Sequence, residues 1–247
     1  MNFLKSKWFF LLSLLLVFSN CKDDEDTDDG LSDLKIAFPF TINGNELVHD
    51  QTYIDAGGLR VKVSLLKYYI SNLKFISTSN DTTLIKDVFL YDSENIQTIS
   101  SILSAGNYKT IEFGLGLTAE QNASDPDSYT ADHPLSYAQA MHWGQWQKFK
   151  FLMIEGRADE DVNADTWNQA FSYHLGFDEA YRLITINKNF TLTDDGINEI
   201  DLTLEFNKMF YGENDTVNLI TESDVHGAPN ELILNGRIAD LCQKSFD

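Results

Sequence analysis

Apolar residues recur at every second position through most of this chain. In KIAFPFTI, Ile36, Phe38, Phe40 and Ile42 alternate with Lys35, Ala37, Pro39 and Thr41, the pattern of a strand buried on one face. Pro39 brings no backbone N–H and points to an edge position. Asn43-Gly44, just beyond, is the dipeptide of a tight hairpin turn. LRVKVSLL, YYISNLKFI, DVFLYD, KTIEFGLGL, KFKFLMIEG, FSYHLG, RLITI and EIDLTLEF continue in the same style. About eight to ten short strands separated by turns suggest an antiparallel sandwich or barrel. A mainly β fold, a single antiparallel β-sandwich with a few short helices and a C-terminal helix, is the expectation.

Three segments read as helices. Residues 93–106 place Ile99, Ile102 and Leu103 on one face and stop at Gly106. Residues 133–143 carry Pro134 in the first turn, a favoured place for it. Residues 230–246 place Leu234, Ile238 and Leu241 on one stripe, with Asn230 as N-cap. Between the last two lies the aromatic run Met141–Gly156. There Phe149 and Phe151 share a strand face that Met153 continues, and His142 and Trp143 close the preceding helix.

The first twenty residues differ in kind. Lys5 and Lys7 precede the apolar run Trp8–Phe18, which has the length of a signal-peptide core and is short for a bilayer span. Small or polar residues then lead to Cys21, as in a lipoprotein signal cleaved before a lipidated cysteine; an ordinary secretory signal with an incidental cysteine is the other reading. Six acids in the seven positions Asp23–Asp29 follow, a self-repelling spacer. Lysine and acids directly after the cysteine resemble the surface-export signal of Bacteroidetes lipoproteins. The expected organisation is a signal peptide at 1–20, a lipidated acidic tether at 21–32 and one domain at 33–247. The expected location is the outer membrane, periplasmic or surface-exposed, held by the lipid alone.

The formal charge of −20 argues against nucleic-acid partners and is compatible with attracting cations. Beside Cys21 only Cys242 remains, so no intramolecular disulfide braces the domain, and Cys242 reads as a small buried residue on a helix. The runs Asp24, Asp26, Asp28 and Asp159, Asp161, Asn163 fail as calcium loops, because Asp29 and Ala164 replace the required glycine and Lys35 and Ala170 the bidentate glutamate. Zinc-protease, Cys-x-x-Cys, Walker, dinucleotide and nucleophile-elbow motifs are absent, so the chain is expected not to be an enzyme.

Five histidines occur: His49, His133, His142, His174 and His226. In FSYHLG the large apolar Phe171, Tyr173 and Leu175 share one face, leaving Ser172, His174 and Gly176 on the other. His174 there is either a ligand on an open sheet face or a surface histidine. His226 lies in a loop before the last helix, as a ligand or a turn residue. Trp143 is either a packing residue or the aromatic wall of a site.

KYYISNLKF (67–75), DHPLSYAQAMHWGQWQKFKFLMIEG (132–156), FSYHLG (171–176) and VHGAPNELILNGRIADLCQKSF (225–246) together resemble the MbnP-like family, methanobactin-associated copper-binding proteins of β-sandwich fold. The resemblance spans nearly all of 33–246. It implies an exported protein that binds copper for acquisition or handling. The ligands would be His174 and His226, with His142 as substitute or third ligand. Trp143 matches a tryptophan that is oxidised to kynurenine in related copper-binding members. The chain departs from the pattern where Gln145 stands in place of a second tryptophan, with Trp146 one position later, and where His142 stands in place of tyrosine or phenylalanine. The alternative is a metal-free surface module of a nutrient-uptake or adhesion system.

Overall fold

Alternation translates directly into strands from the first described segment onward. The computed structural model describes residues 30–227 and 229–246. The leader, Cys21 and the tether up to Asp29 lie outside the described residues. The strands are β1 (Leu31–Ala37), β2 (Phe40–Ile42), β3 (Asn45–Glu46), β4 (Tyr53–Ile54), β5 (Arg60–Ser77), β6 (Thr82–Asp92), β7 (Ile99–Ser104), β8 (Gly106–Leu115), β9 (His142–Trp143), β10 (Lys148–Asp159), β11 (Gln169–Gly176), β12 (Arg182–Leu192), β13 (Ile197–Asp201), β14 (Leu204–Glu205) and β15 (Asp224–Val225). The helices are α1 (Ala119–Asn122), α2 (Phe206–Phe210) and α3 (Leu232–Gln243).

A nine-stranded sheet runs β12-β8-β5-β10-β11-β15, with β4 and β6 also paired to β5 and β9 paired to β10. Two three-stranded sheets run β13-β1-β7 and β14-β2-β3. The sheets are open, and the fold is mainly β and sandwich-like. Its long ladders are antiparallel as expected, while β1 with β13, β2 with β14 and β11 with β15 pair in parallel. Ile36, Phe38, Phe40 and Ile42 are all buried, although Pro39 splits their run into two strands. Asn43 and Gly44 both take positive φ, as a tight hairpin between β2 and β3 requires.

β5 is the spine. Its first half pairs with β10 and its second half with β8, and the register slips after Ser71. Asn72 sits there at φ 48°, a conformation that asparagine tolerates better than most residues. Tyr68, Phe75, Phe113, Phe171 and Phe206 are fully buried around this spine, in offset or edge-on ring contacts such as Phe75–Tyr108 at 5.8 Å.

Two expected helices are not helices. Residues 99–104 form β7, paired antiparallel to β1. Ile99 and Leu103 point inward while Ile102 is 64% exposed, so the apolar set follows period two at its ends. β-Branched isoleucines and serines hold a helix weakly, and the open edge of β1 outcompetes it. Residues 133–143 hold one 3-10 turn, Tyr137–Gln139, ended by Ala140 at φ 59°, and then β9. His142 and Trp143 therefore lie on a strand.

The C-terminal helix is present, with Ile238 and Leu241 buried and Leu234 packed against the core. It starts at Leu232 after a 3-10 turn, so its cap is Glu231 rather than Asn230. Cys242 is fully buried on it, and burial pushes its thiol up to about 12. In protein carrying Cys21→Ser, a thiol reagent at pH 8 should find nothing in the native chain and a single thiol after unfolding. Rapid native labelling would contradict this burial.

Candidate metal centre

The ladders carry the site's residues into one cross-strand row. Met153 on β10 stands opposite Lys67 on β5 and opposite His174 on β11. β15 runs parallel to β11, with Asp224 beside Ser172 and Val225 beside Tyr173. Continuing that register places His226 beside His174. Phe171, Tyr173 and Leu175 are buried at 2% exposure or less, so His174 occupies the opposite face, as the alternation predicts.

The two imidazoles meet edge to face, their Nδ1 atoms 3.3 Å apart. An ion about 2 Å from two imidazole nitrogens at a near-tetrahedral angle separates them by about that distance. The other side of His174 is held by Glu155, whose Oε1 accepts from Nε2 at 2.7 Å. Glu155 lies opposite Ser172 and hence on the same face as His174. A carboxylate that accepts at Nε2 assigns the ring hydrogen to that atom and leaves the Nδ1 lone pair facing His226. Burial holds the His174 pKa below its ordinary value, against the opposing bond from Glu155. The neutral, ligating form is thereby favoured at neutral pH.

The strand end bearing His226 is secured from behind. Its backbone N–H donates to Glu231 Oε2 at 2.8 Å. Tyr173 Oη donates to the Glu222 carbonyl, and Arg237 grips Asp215 and Glu222. The chain entering β15 is thus tied to β11 and α3.

Trp143 is 9% exposed and packs where the two histidine-bearing segments converge. Its indole lies on Gly176, two residues after His174, and on Gly227, directly after His226. A methyl group at either glycine would collide with the ring. Gly227 also has φ 73°, a second reason for glycine there. Phe177 stacks on Trp143 at 5.6 Å and Trp146 meets it edge-on at 5.2 Å. The shifted second tryptophan therefore still joins the cluster.

His142 turns away from this cluster. Its ring contacts Tyr137 and Phe149, and its Nδ1 is buried without a hydrogen-bond partner. Burial lowers its pKa. His133 stacks on Tyr129, and His49 Nδ1 contacts the Ser64 carbonyl. Among the described residues no group of three or more His, Cys, Asp or Glu side chains is arranged to hold a metal. A register shift between Lys150 and Leu152 moves Met153 to the His174 face. Met153 therefore does not continue the face of Phe149 and Phe151, because a bulge inverts the alternation. Glu155, Phe177 and Gly227 escaped the sequence reading, and Gly176 was placed there on the His174 face without its contact to Trp143. For Glu155 the period-two offset from Met153 is the only local signal.

Fold and site together define a β-sandwich-like protein that presents a carboxylate-backed pair of histidines beside a walled-in tryptophan. The model of the MbnP family matches residues 31–228, and the chain belongs to that family. Among solved structures it is similar to MbnP from Methylosinus trichosporium, at 13% identity and a TM-score of 0.55, over 81% of this chain and 82% of that one. No curated protein matches it.

Proposed function

We propose that the protein binds copper, for acquisition or handling and without turnover, through His174 and His226. The facing Nδ1 atoms at 3.3 Å, with Glu155 behind His174, carry this reading. Neutral imidazoles suit copper, which leads the divalent affinity series. Family membership supports the same assignment. Two side-chain donors leave the coordination sphere open, and His226 is exposed at its mouth. Such a site can accept and release an ion by ligand exchange.

Trp143 would wall the site and, if oxidised to an aryl amine and ketone, add a donor that a plain indole lacks. Mass spectrometry of the copper-loaded protein tests this: an unmodified Trp143 at full occupancy removes it from the ligand set. His142 faces Tyr137 and Phe149, away from the two histidines, which argues against it as a third ligand. Calorimetric titration of the purified protein with copper tests the whole reading; submicromolar binding is expected. Glu155→Gln should weaken that binding about tenfold, because partners behind a ligand typically contribute that much. Unchanged affinity would show that the carboxylate does not orient His174.

The signal-like leader and Cys21 support an exported, lipid-anchored protein of the outer membrane, with metabolic labelling by a palmitate analogue as the test. A metal-free surface module remains the second reading. It is favoured by the lack of a third His, Cys, Asp or Glu donor among the described residues. Absence of any copper heat would select it.

A further inference from the structure

Among the described residues, the residue types least suited to positive φ adopt it near Trp143, in sequence or in space. Of the non-glycine residues with positive φ among the described residues, Asn43, Asp50, Asn72 and Asn80 are of the two types that tolerate it. The others are Ala140, Gln147 and Phe177. Ala140 lies just before β9, which carries Trp143, Gln147 ends the turn after it, and Phe177 stacks on Trp143. Phe177 is the extreme case. Its φ of 64° and ψ of 160° fall in a region that is essentially glycine-only.

A bulky residue stays in such a region only where its surroundings over-determine it. Here two buried asparagines clamp the chain on either side. Asn235 on α3, fully buried, accepts from Gly176 N–H at 3.2 Å and donates to the Gly176 carbonyl at 2.9 Å. Asn122 in α1, also fully buried, donates to the Asp178 carboxylate at 2.8 Å and accepts from Phe149 N–H at 2.9 Å. Residues 176 and 178 are thus fixed to different elements, and residue 177 takes the dihedrals that remain. The result presses its ring onto Trp143 and against Trp146. The same ring borders Gly227, the residue after His226.

We propose that Phe177 is a positioning residue of the metal centre: its strained backbone, held by Asn122 and Asn235, wedges Trp143 between the segments that carry His174 and His226. A glycine would satisfy the backbone better but supply no ring. The consequence at the metal rests on the copper reading above, whereas the geometric part can be measured without metal.

The test compares Phe177→Gly, Phe177→Ala and Phe177→Tyr in the purified protein. Glycine usually destabilises relative to alanine. Here Phe177→Gly should melt about 2–4 °C above Phe177→Ala, because only glycine relieves the dihedrals. In metal-free protein, the indole N–H resonance of Trp143, assigned by its loss in Trp143→Phe, should shift and broaden in the glycine and alanine variants and stay in place in Phe177→Tyr. Copper affinity should fall about tenfold or more in the first two and be retained in the tyrosine variant. A Phe177→Gly melting point at or below that of Phe177→Ala would overturn the stored strain. An unmoved Trp143 resonance in Phe177→Gly would overturn the positioning role. If wild type binds no copper, the copper reading fails, while the melting and resonance measurements still decide this inference.

Discussion

His174→Ala is expected to lower copper affinity by more than about 100-fold, beyond the 10–100-fold that changes behind a ligand typically cost. Its imidazole is one of two that face each other at 3.3 Å, and it is the one oriented by Glu155. Removing it leaves a single exposed imidazole, which water and buffer compete with easily. His226→Ala should have a similar effect. The double variant should lose little more than either single one, because residues that act as a unit are not additive. Calorimetry, checked by competition with a coloured copper chelator, measures all three. Circular dichroism should show an intact fold, since neither histidine belongs to the buried apolar face. Wild-type affinity in either single variant would dispose of the paired-histidine centre.

The second large effect should come from a residue that touches no ligand. Asn235→Ala is expected to destabilise the protein by about 2–5 kcal/mol, because it strands both the N–H and the C=O of Gly176, each costing about 1–3 kcal/mol when buried unpaired. In the native protein the side-chain amide acts as a strand edge for that residue. It also joins α3 to the end of β11. For a domain of this size the melting point should fall by about 5–15 °C. Copper binding should weaken as well, since Gly176 is the surface on which Trp143 rests. Asn235→Asp should be intermediate: a carboxylate accepts from Gly176 N–H but has nothing to donate to its carbonyl. A melting point within a degree of wild type for Asn235→Ala would mean that water replaces both bonds.

Local pattern alone was sufficient for several features. Phe171, Tyr173 and Leu175 against Ser172 and His174 is a two-residue period, and the face of His174 follows from it. The Asn43-Gly44 turn is written in backbone preference. The stripe Leu234, Ile238 and Leu241 specifies α3, though not its first turn. Residues 93–106 misled because Ile99, Ile102 and Leu103, at spacings of three and four, suit a helix face, while their neighbours also suit a strand. Only an open β1 edge, distant in sequence, separates the two.

The centre itself is non-local. His174 and His226 are 52 positions apart, and Glu155 lies 19 before His174. What joins them is the parallel register of β11 with β15 and the antiparallel register of β10 with β11. Ladder register depends on the packing of whole sheets, so no spacing rule reveals it. A one-residue bulge put Met153 on the histidine face, and ring packing turned His142 toward Tyr137 and Phe149. The sequence by itself determined that this is a mainly β chain of the MbnP type, with His174 on the non-core face of its strand and Trp143 in an aromatic segment. The resemblance had already named His226 beside His174; the tertiary structure decided that the two rings face each other, that Glu155 stands behind His174 and that the strained Phe177 lies on the tryptophan. Those relations are set by pairing and packing between distant segments, where each residue's chemistry is fixed but its neighbours are not.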